Sequence, residues 1–304
     1  MYNIIPVGAA PGSEAFLLIT PQKTALFDSG FAYCAGELIK NIERALSGRT
    51  LDYIILSHTH YDHCSGAAYC LERWPDVKII AGTYSARVFS RPGALRTIRS
   101  MNESAAIERG HELQNPGLLE KLRVDIPVAE GDTIDLGDLT FRVIESPGHT
   151  WCSISMYCET EQLLIVSESQ GMYGGQQGFV IPGFMVGYAV SVESVKKVMD
   201  LPVKTIMFPH MGPRTSPEID GFFESALTCF EETKNAVLDA YRAGKRDEDL
   251  LRVLTDRFFS AEAAQYQPKR AFLLNSSYMI PMLVRECLGV EDFDMSHDVD
   301  SYNI

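Results

Sequence analysis

Several features of membrane, secreted or nucleic-acid-binding chains are missing here. No run of about 18 apolar residues occurs, so no membrane-spanning helix is expected. The longest apolar stretch, Gly178 to Val190, is short and broken by Pro182, Gly183 and Gly187. Seven cysteines are scattered with no Cys-x-x-Cys spacing, a pattern that fits reduced thiols in a cytoplasm. Met1 to Val7 has no basic region leading into an apolar core, so no secretory signal is read there and a cytoplasmic protein is expected. Basic charge is in deficit: 27 Lys and Arg face 40 Asp and Glu, a net charge of −13. Such a chain repels polyanions, and no nucleic-acid partner is expected. Gly-x-Ser-x-Gly is also absent, so no serine nucleophile announces itself.

The first half of the chain alternates strand and helix signals. Glu14–Ile19 and Lys23–Phe27 read as paired strands, and Leu51–Leu56 as a short buried one. Leu38, Ile42 and Leu46 share one face of a helix over Ala35–Leu46. Ser57–Gly66 reads as a loop and Ala67–Arg73 as a helix ended by Pro75. Residues 84–122 carry helix formers and no strand pattern, which suggests a helical insertion. Strand signals resume from Val128 and end with Thr205–Phe208. Beyond residue 216 the pattern is purely helical, with segments over Glu218–Ala243, Glu248–Phe259 and Arg270–Leu288. These signals imply a layered α/β domain over 1–215 and a helical C-terminal extension over 216–304.

Chemistry concentrates in His58-Thr59-His60-Tyr61-Asp62-His63, directly after the Leu51–Leu56 strand. Imidazole and carboxylate are the usual ligands of divalent ions. Residues i and i+2 of an extended segment point the same way, so His58 and His60 can grip one ion. Two more histidines follow strands: His149 in Ser146-Pro147-Gly148-His149-Thr150, and His210 in Phe208-Pro209-His210-Met211-Gly212. Cys64 is read as a packing residue.

In this order, His-x-His-x-Asp-His, Ser-Pro-Gly-His-Thr and a late His followed by Gly resemble the metallo-β-lactamase superfamily. The resemblance covers residues 1 to about 215. It implies an αββα sandwich with two divalent ions, Zn, Fe or Mn, at one edge. One ion would lie on His58, His60 and His149, the other on Asp62, His63 and His210. Asp28, at the end of Leu26-Phe27-Asp28, matches an early strand-end aspartate that orients a ligand histidine. The family's bridging Asp has no counterpart here; the corresponding place reads Val166-Ser167-Glu168-Ser169, so Glu168 would supply the carboxylate.

The family's chemistry implies a hydrolase in which the ions acidify a water and Asp62 assists it. A weaker similarity to the PqsE-like branch rests on the insertion, on Tyr61-Asp62-His63-Cys64 and on the all-helical tail. It implies a small-molecule acyl-thioester substrate. A lactonase, a glyoxalase-II-like hydrolase, or a degenerate member that binds a ligand or partner remain as alternatives. The C-terminal helices are expected to cover the site, with Phe179, Phe184, Tyr188 and Tyr278 as candidate pocket residues. A long amphipathic C-terminal helix leaves a homodimer open.

Overall fold

The computed structural model describes residues 2–175, 178–260, 264, 267–299 and 302. In chain order the strands are β1 (Asn3–Pro6), β2 (Phe16–Ile19), β3 (Thr24–Phe27), β4 (Tyr53–Leu56), β5 (Lys78–Gly82), β6 (Ile126–Val128), β7 (Thr133–Asp135), β8 (Thr140–Glu145), β9 (Ile154–Cys158), β10 (Leu163–Ile165), β11 (Met172–Tyr173), β12 (Val180–Ile181), β13 (Thr205–Phe208) and β14 (Gly212–Thr215). The α-helices are α1 (Ala35–Leu46), α2 (Tyr61–Arg73), α3 (Thr83–Phe89), α4 (Pro92–Glu108), α5 (Tyr188–Met199), α6 (Phe222–Arg242), α7 (Asp247–Phe258) and α8 (Lys269–Leu288).

The chain divides into two compact units. One comprises 1–145, 152–167 and 202–214; the other comprises 146–151, 168–201 and 215–304. The second unit therefore takes in two segments that precede the helical extension.

The first unit holds two six-stranded sheets, ordered β1-β2-β3-β4-β5-β6 and β14-β13-β10-β9-β8-β7. Strands β3 to β6 run parallel, and both faces of this part are buried. The period-two alternation of side chains divides its strands between two cores. Leu17, Leu26, Ile54, Leu56 and Ile79 point to the side packed by α1 and α2. Phe16, Leu18, Phe27, Ile55 and Ile80 point the other way, onto Phe141, Val143, Met156 and Ile165 of the second sheet. The mixed α/β sandwich expected from the resemblance is the fold found. Residues 84–122 form the rest of α3, α4 and a short 3-10 helix over Pro116–Lys121.

One boundary differs from the sequence reading. Residues 57–66 are not a loop throughout, because α2 begins at Tyr61. His60 is extended, with φ −66° and ψ 148°, and its carbonyl accepts the His63 and Cys64 N–H groups at 3.0 Å. Asp62 sits in the positive end of the helix dipole. The first turns of α2 are bolted to the loop after β3. Ser29 N–H and Oγ donate to the His63 carbonyl at 2.7 and 2.8 Å, and Gly66 N–H donates to the Gly30 carbonyl at 3.0 Å. A Cβ on Gly66 would stand 2.0 Å from the Ser29 carbonyl oxygen. Gly66→Ala should therefore destabilise the chain by about 3 kcal/mol, read by chemical denaturation, because backbone must move to admit the methyl group.

The second unit contains α5 to α8, the β11–β12 hairpin and a 3-10 turn over Glu168–Gln170. Glu286 of α8 accepts the N–H groups of Tyr188 and Ala189, each at 2.8 Å, and so satisfies the start of α5. Phe184 and Phe230 meet edge to face at 5.0 Å in its core. Among the described residues, no helix is long and apolar enough to cross a membrane.

Candidate metal centre

In the first unit, four candidate residues follow β4 and a fifth follows β13. The rings of His58 and His60 lie 4.6 Å apart, those of His58 and His63 4.2 Å, and those of His63 and His210 4.8 Å. Asp62, His63 and His210 each offer one ligand atom, all within 4.8 Å of one another. Asp62 Oδ2 is 3.5 Å from His63 Nε2 and 3.9 Å from His210 Nε2.

The outer nitrogens of these rings are anchored by the protein. His63 Nδ1 lies 2.8 Å from Asp28 Oδ2, and His210 Nδ1 lies 3.0 Å from Glu14 Oε2. His58 Nδ1 lies 2.9 Å from Ser57 Oγ. Asp28 is only 1% exposed, yet its carboxylate is well supplied with donors. Oδ1 accepts the Ser57 N–H at 2.8 Å, and Oδ2 accepts the Ser57 hydroxyl at 2.8 Å besides facing His63. Its backbone adopts φ 52°, a left-handed conformation that Asp tolerates better than most residues. Glu14 was not singled out from the sequence. It stands 196 positions from His210, and no local motif signals the pairing.

In the second unit, His149 and Glu168 meet directly, Nε2 to Oε2 at 2.6 Å. His149 is 2% exposed and Glu168 4%. His149 Nδ1 lies 2.7 Å from the Gly183 carbonyl, and its backbone N–H donates to Ser169 Oγ at 2.9 Å. A side chain at Gly183 would collide with the Glu168 carbonyl, since its Cβ would lie 2.3 Å away. The Gly183 backbone thus lies close against the backbone of Glu168.

These residues fit divalent cations. Four imidazoles (His58, His63, His149 and His210) turn Nδ1 to a protein partner, which leaves Nε2 as the ligating atom. A carboxylate or carbonyl behind a histidine is the arrangement that fixes tautomer and ring orientation at a metal. Cys64 is not part of this set. Burial pushes its thiol far up, and Sγ donates to the Thr59 carbonyl at 3.5 Å.

His149 also lines a small cleft within the second unit, with Met172, Ile181, Met185, Phe272 and Met279. The four aromatics expected at a pocket are placed otherwise. Phe184 is wholly buried against Phe230 and Tyr188, because a ring with no polar atom is most stable in the core. Tyr188 donates its hydroxyl to Glu231 at 2.6 Å and carries Lys234 over its ring. Tyr278 is exposed and stacked on His297, 3.9 Å between centroids. Phe179 is half-buried and is not among the cleft's lining residues.

Two facing sheets with histidine and carboxylate ligands on the loops at their strand ends define a metal-binding α/β protein. The chain belongs to the metallo-beta-lactamase superfamily, whose family model matches residues 10–210. It is 30% identical over 175 residues to a metallo-beta-lactamase fold-containing protein of Sulfurisphaera tokodaii, covering 56% of this chain and 63% of the relative. It is 27% identical over 168 residues to a hydroxyacylglutathione hydrolase of Bradyrhizobium, covering 55% of this chain and 50% of that one. The chain thus spans between half and two thirds of the length of these two relatives. A metallo-beta-lactamase family protein from Thermus thermophilus has the same fold, with a TM-score of 0.62, 18% identity, and coverage of 94% of this chain and 93% of the other.

Proposed function

We propose that this chain is a dinuclear metal-dependent hydrolase of acyl thioesters. The observation that carries the proposal is the common anchoring of the histidine Nδ1 atoms, which prepares the Nε2 atoms for cations. In this reading Asp62, His63 and His210 hold one ion, and the superfamily resemblance assigns the other to His58, His60 and His149, with Glu168 supplying the carboxylate. Bound divalent ions supply an acidified water and polarise the scissile carbonyl.

The chain's own groups do the rest. Asp28 and Glu14 hold His63 and His210 in one tautomer. Asp62 Oδ2, in the first turn of α2, is half-exposed between two ligand histidines, where it can orient the attacking water and take its proton. No general acid is required at the leaving atom, because a thiol of pKa about 8.5 departs readily as thiolate.

The relatives named hydroxyacylglutathione hydrolase favour a glutathione thioester as a second reading. Elemental analysis of the purified chain should find two equivalents of Zn, Fe or Mn. A hydrolysis screen over acyl-CoA, acylglutathione, lactone and β-lactam substrates should show turnover of a thioester. One equivalent or none, with no turnover of any of them, overturns the hydrolase and leaves a binding member of the superfamily.

Glu168 gives a sharper assay. Glu168→Ala should lower metal content and reduce kcat by about 100-fold, while Glu168→Asp should retain metal. If Glu168→Ala changes neither, the carboxylate is not a ligand.

A further inference from the structure

Charge is segregated along this chain. Residues 77–102 contain Lys78, Arg87, Arg91, Arg96 and Arg99 and no Asp or Glu, although the whole chain carries −13. Residues 286–304 are the reverse, with Glu286, Glu291, Asp292, Asp294, Asp298 and Asp300 and no Lys or Arg.

The basic stretch forms a corner in the first unit, running from β5 through α3 into α4. Arg99 is neutralised by Glu103 at 2.8 Å. Arg87, Arg91 and Arg96 are exposed, and none of the three makes an ion pair among the described residues. Arg91 N–H donates to the Val88 carbonyl at 3.1 Å, so helical bonding continues past Phe89 and Arg91 lies one turn beyond Arg87. Arg91 then precedes Pro92, the first residue of α4. The Arg96 guanidinium folds back beside the same turn, where a Cβ on Gly93 would lie 3.8 Å from its Nη2. No acidic residue occupies that turn. A helix N-terminus is its positive end, where carboxylates are favoured and cations are not. Tyr84, exposed and three residues before Arg87, adds an aromatic ring to the same face of α3. Tyr and Arg are residue types enriched at protein interfaces.

The acidic stretch is held in place within the second unit. Phe293 meets Tyr241 edge to face at 4.9 Å, and its carbonyl accepts Arg285 Nε at 3.0 Å. These contacts fix the short segment after α8, on which Glu291, Asp292 and Asp294 are exposed. Asp294 pairs with Arg285 at 3.1 Å. Glu291 and Asp292 make no ion pair among the described residues.

We propose that Arg87, Arg91 and Arg96 of one copy dock on Glu291, Asp292 and Asp294 of a second copy, so that the chain self-associates. Guanidinium and carboxylate form strong, directional ion pairs, and three of each are available. A nucleic acid or an anionic membrane fits this corner worse. Its charge extends over the acidic remainder of the chain and is repelled there. A segment with three carboxylates is compact enough to meet the corner alone. The net charge of the two copies opposes association at low salt. Screening removes that long-range repulsion before it removes the contact between facing pairs. Self-association is therefore expected to be strongest near physiological salt.

Sedimentation equilibrium of the full chain reads this directly. Association should be present at about 0.1 M NaCl and at least about tenfold weaker at about 1 M, where the Debye length falls from about 10 Å to about 3 Å. Two charge-reversed variants sharpen the test: Arg87→Glu with Arg91→Glu and Arg96→Glu, and separately Glu291→Lys with Asp292→Lys. The substituted side chains are exposed, so both variants should fold. Each should be monomeric alone. An equimolar mixture should associate again, because the facing charges are then of opposite sign once more. A wild-type chain that stays monomeric up to about 0.1 mM overturns the proposal, even if anionic vesicles or DNA bind the same arginines. Self-association that persists in the arginine variant overturns it as well, as does a mixture that remains monomeric.

Discussion

Asp28→Ala is expected to lower stability by about 3–5 kcal/mol and metal affinity by about 10–100-fold. The carboxylate is buried and serves three groups at once: the Ser57 N–H, the Ser57 hydroxyl and His63 Nδ1. Removing it leaves those groups in a space that water does not freely enter. Alanine also inherits φ 52°, a conformation that L-residues without a compensating polar side chain avoid. The Asn variant should be milder but still impaired. Its amide can accept at one position, yet its NH2 must then face a donor. Denaturation with and without chelator, together with metal analysis, separates the two effects. An Asp28→Ala chain that keeps both stability and full metal content would contradict the orienting role.

The second large effect concerns Asp62. Asp62→Ala should reduce kcat by about 10²–10⁴ in the hydrolysis that the chain supports, with little change in KM. Unlike Asp28, Asp62 is partly exposed, at 24% of its side chain, so the fold should persist. Asp62→Asn keeps the shape but cannot take a proton. It should therefore remain slow while recovering some metal. An Asn variant with wild-type kcat would show that Asp62 only ligates. Catalytic loss is the discriminating readout here, whereas stability is the discriminating readout for Asp28.

Some of this site is legible in one dimension. His58, His60, Asp62 and His63 announce themselves because a short segment after a buried strand can present several ligands to one place. His149 and His210 gain meaning from the same position after a strand. The start of α2 was not legible. Its first turn is Tyr, Asp, His and Cys with no apolar period, and its burial depends on Gly66 lying against the Ser29 carbonyl. Glu14 was invisible, since nothing local ties it to His210. The pocket aromatics were expected from their place in the loop after Glu168 and on the C-terminal helices. Phe184 went instead to the core, and Tyr188 and Tyr278 found partners of their own.

The amino-acid sequence by itself determined the alternation of strands, the buried runs and which residues are candidate ligands, because periodicity and donor chemistry are properties of short segments. Only the tertiary structure decided which partner stands behind each imidazole, where α2 starts and which face of α8 borders the cleft. Those are matters of distance between residues far apart in the chain, set by how sheets and helices pack.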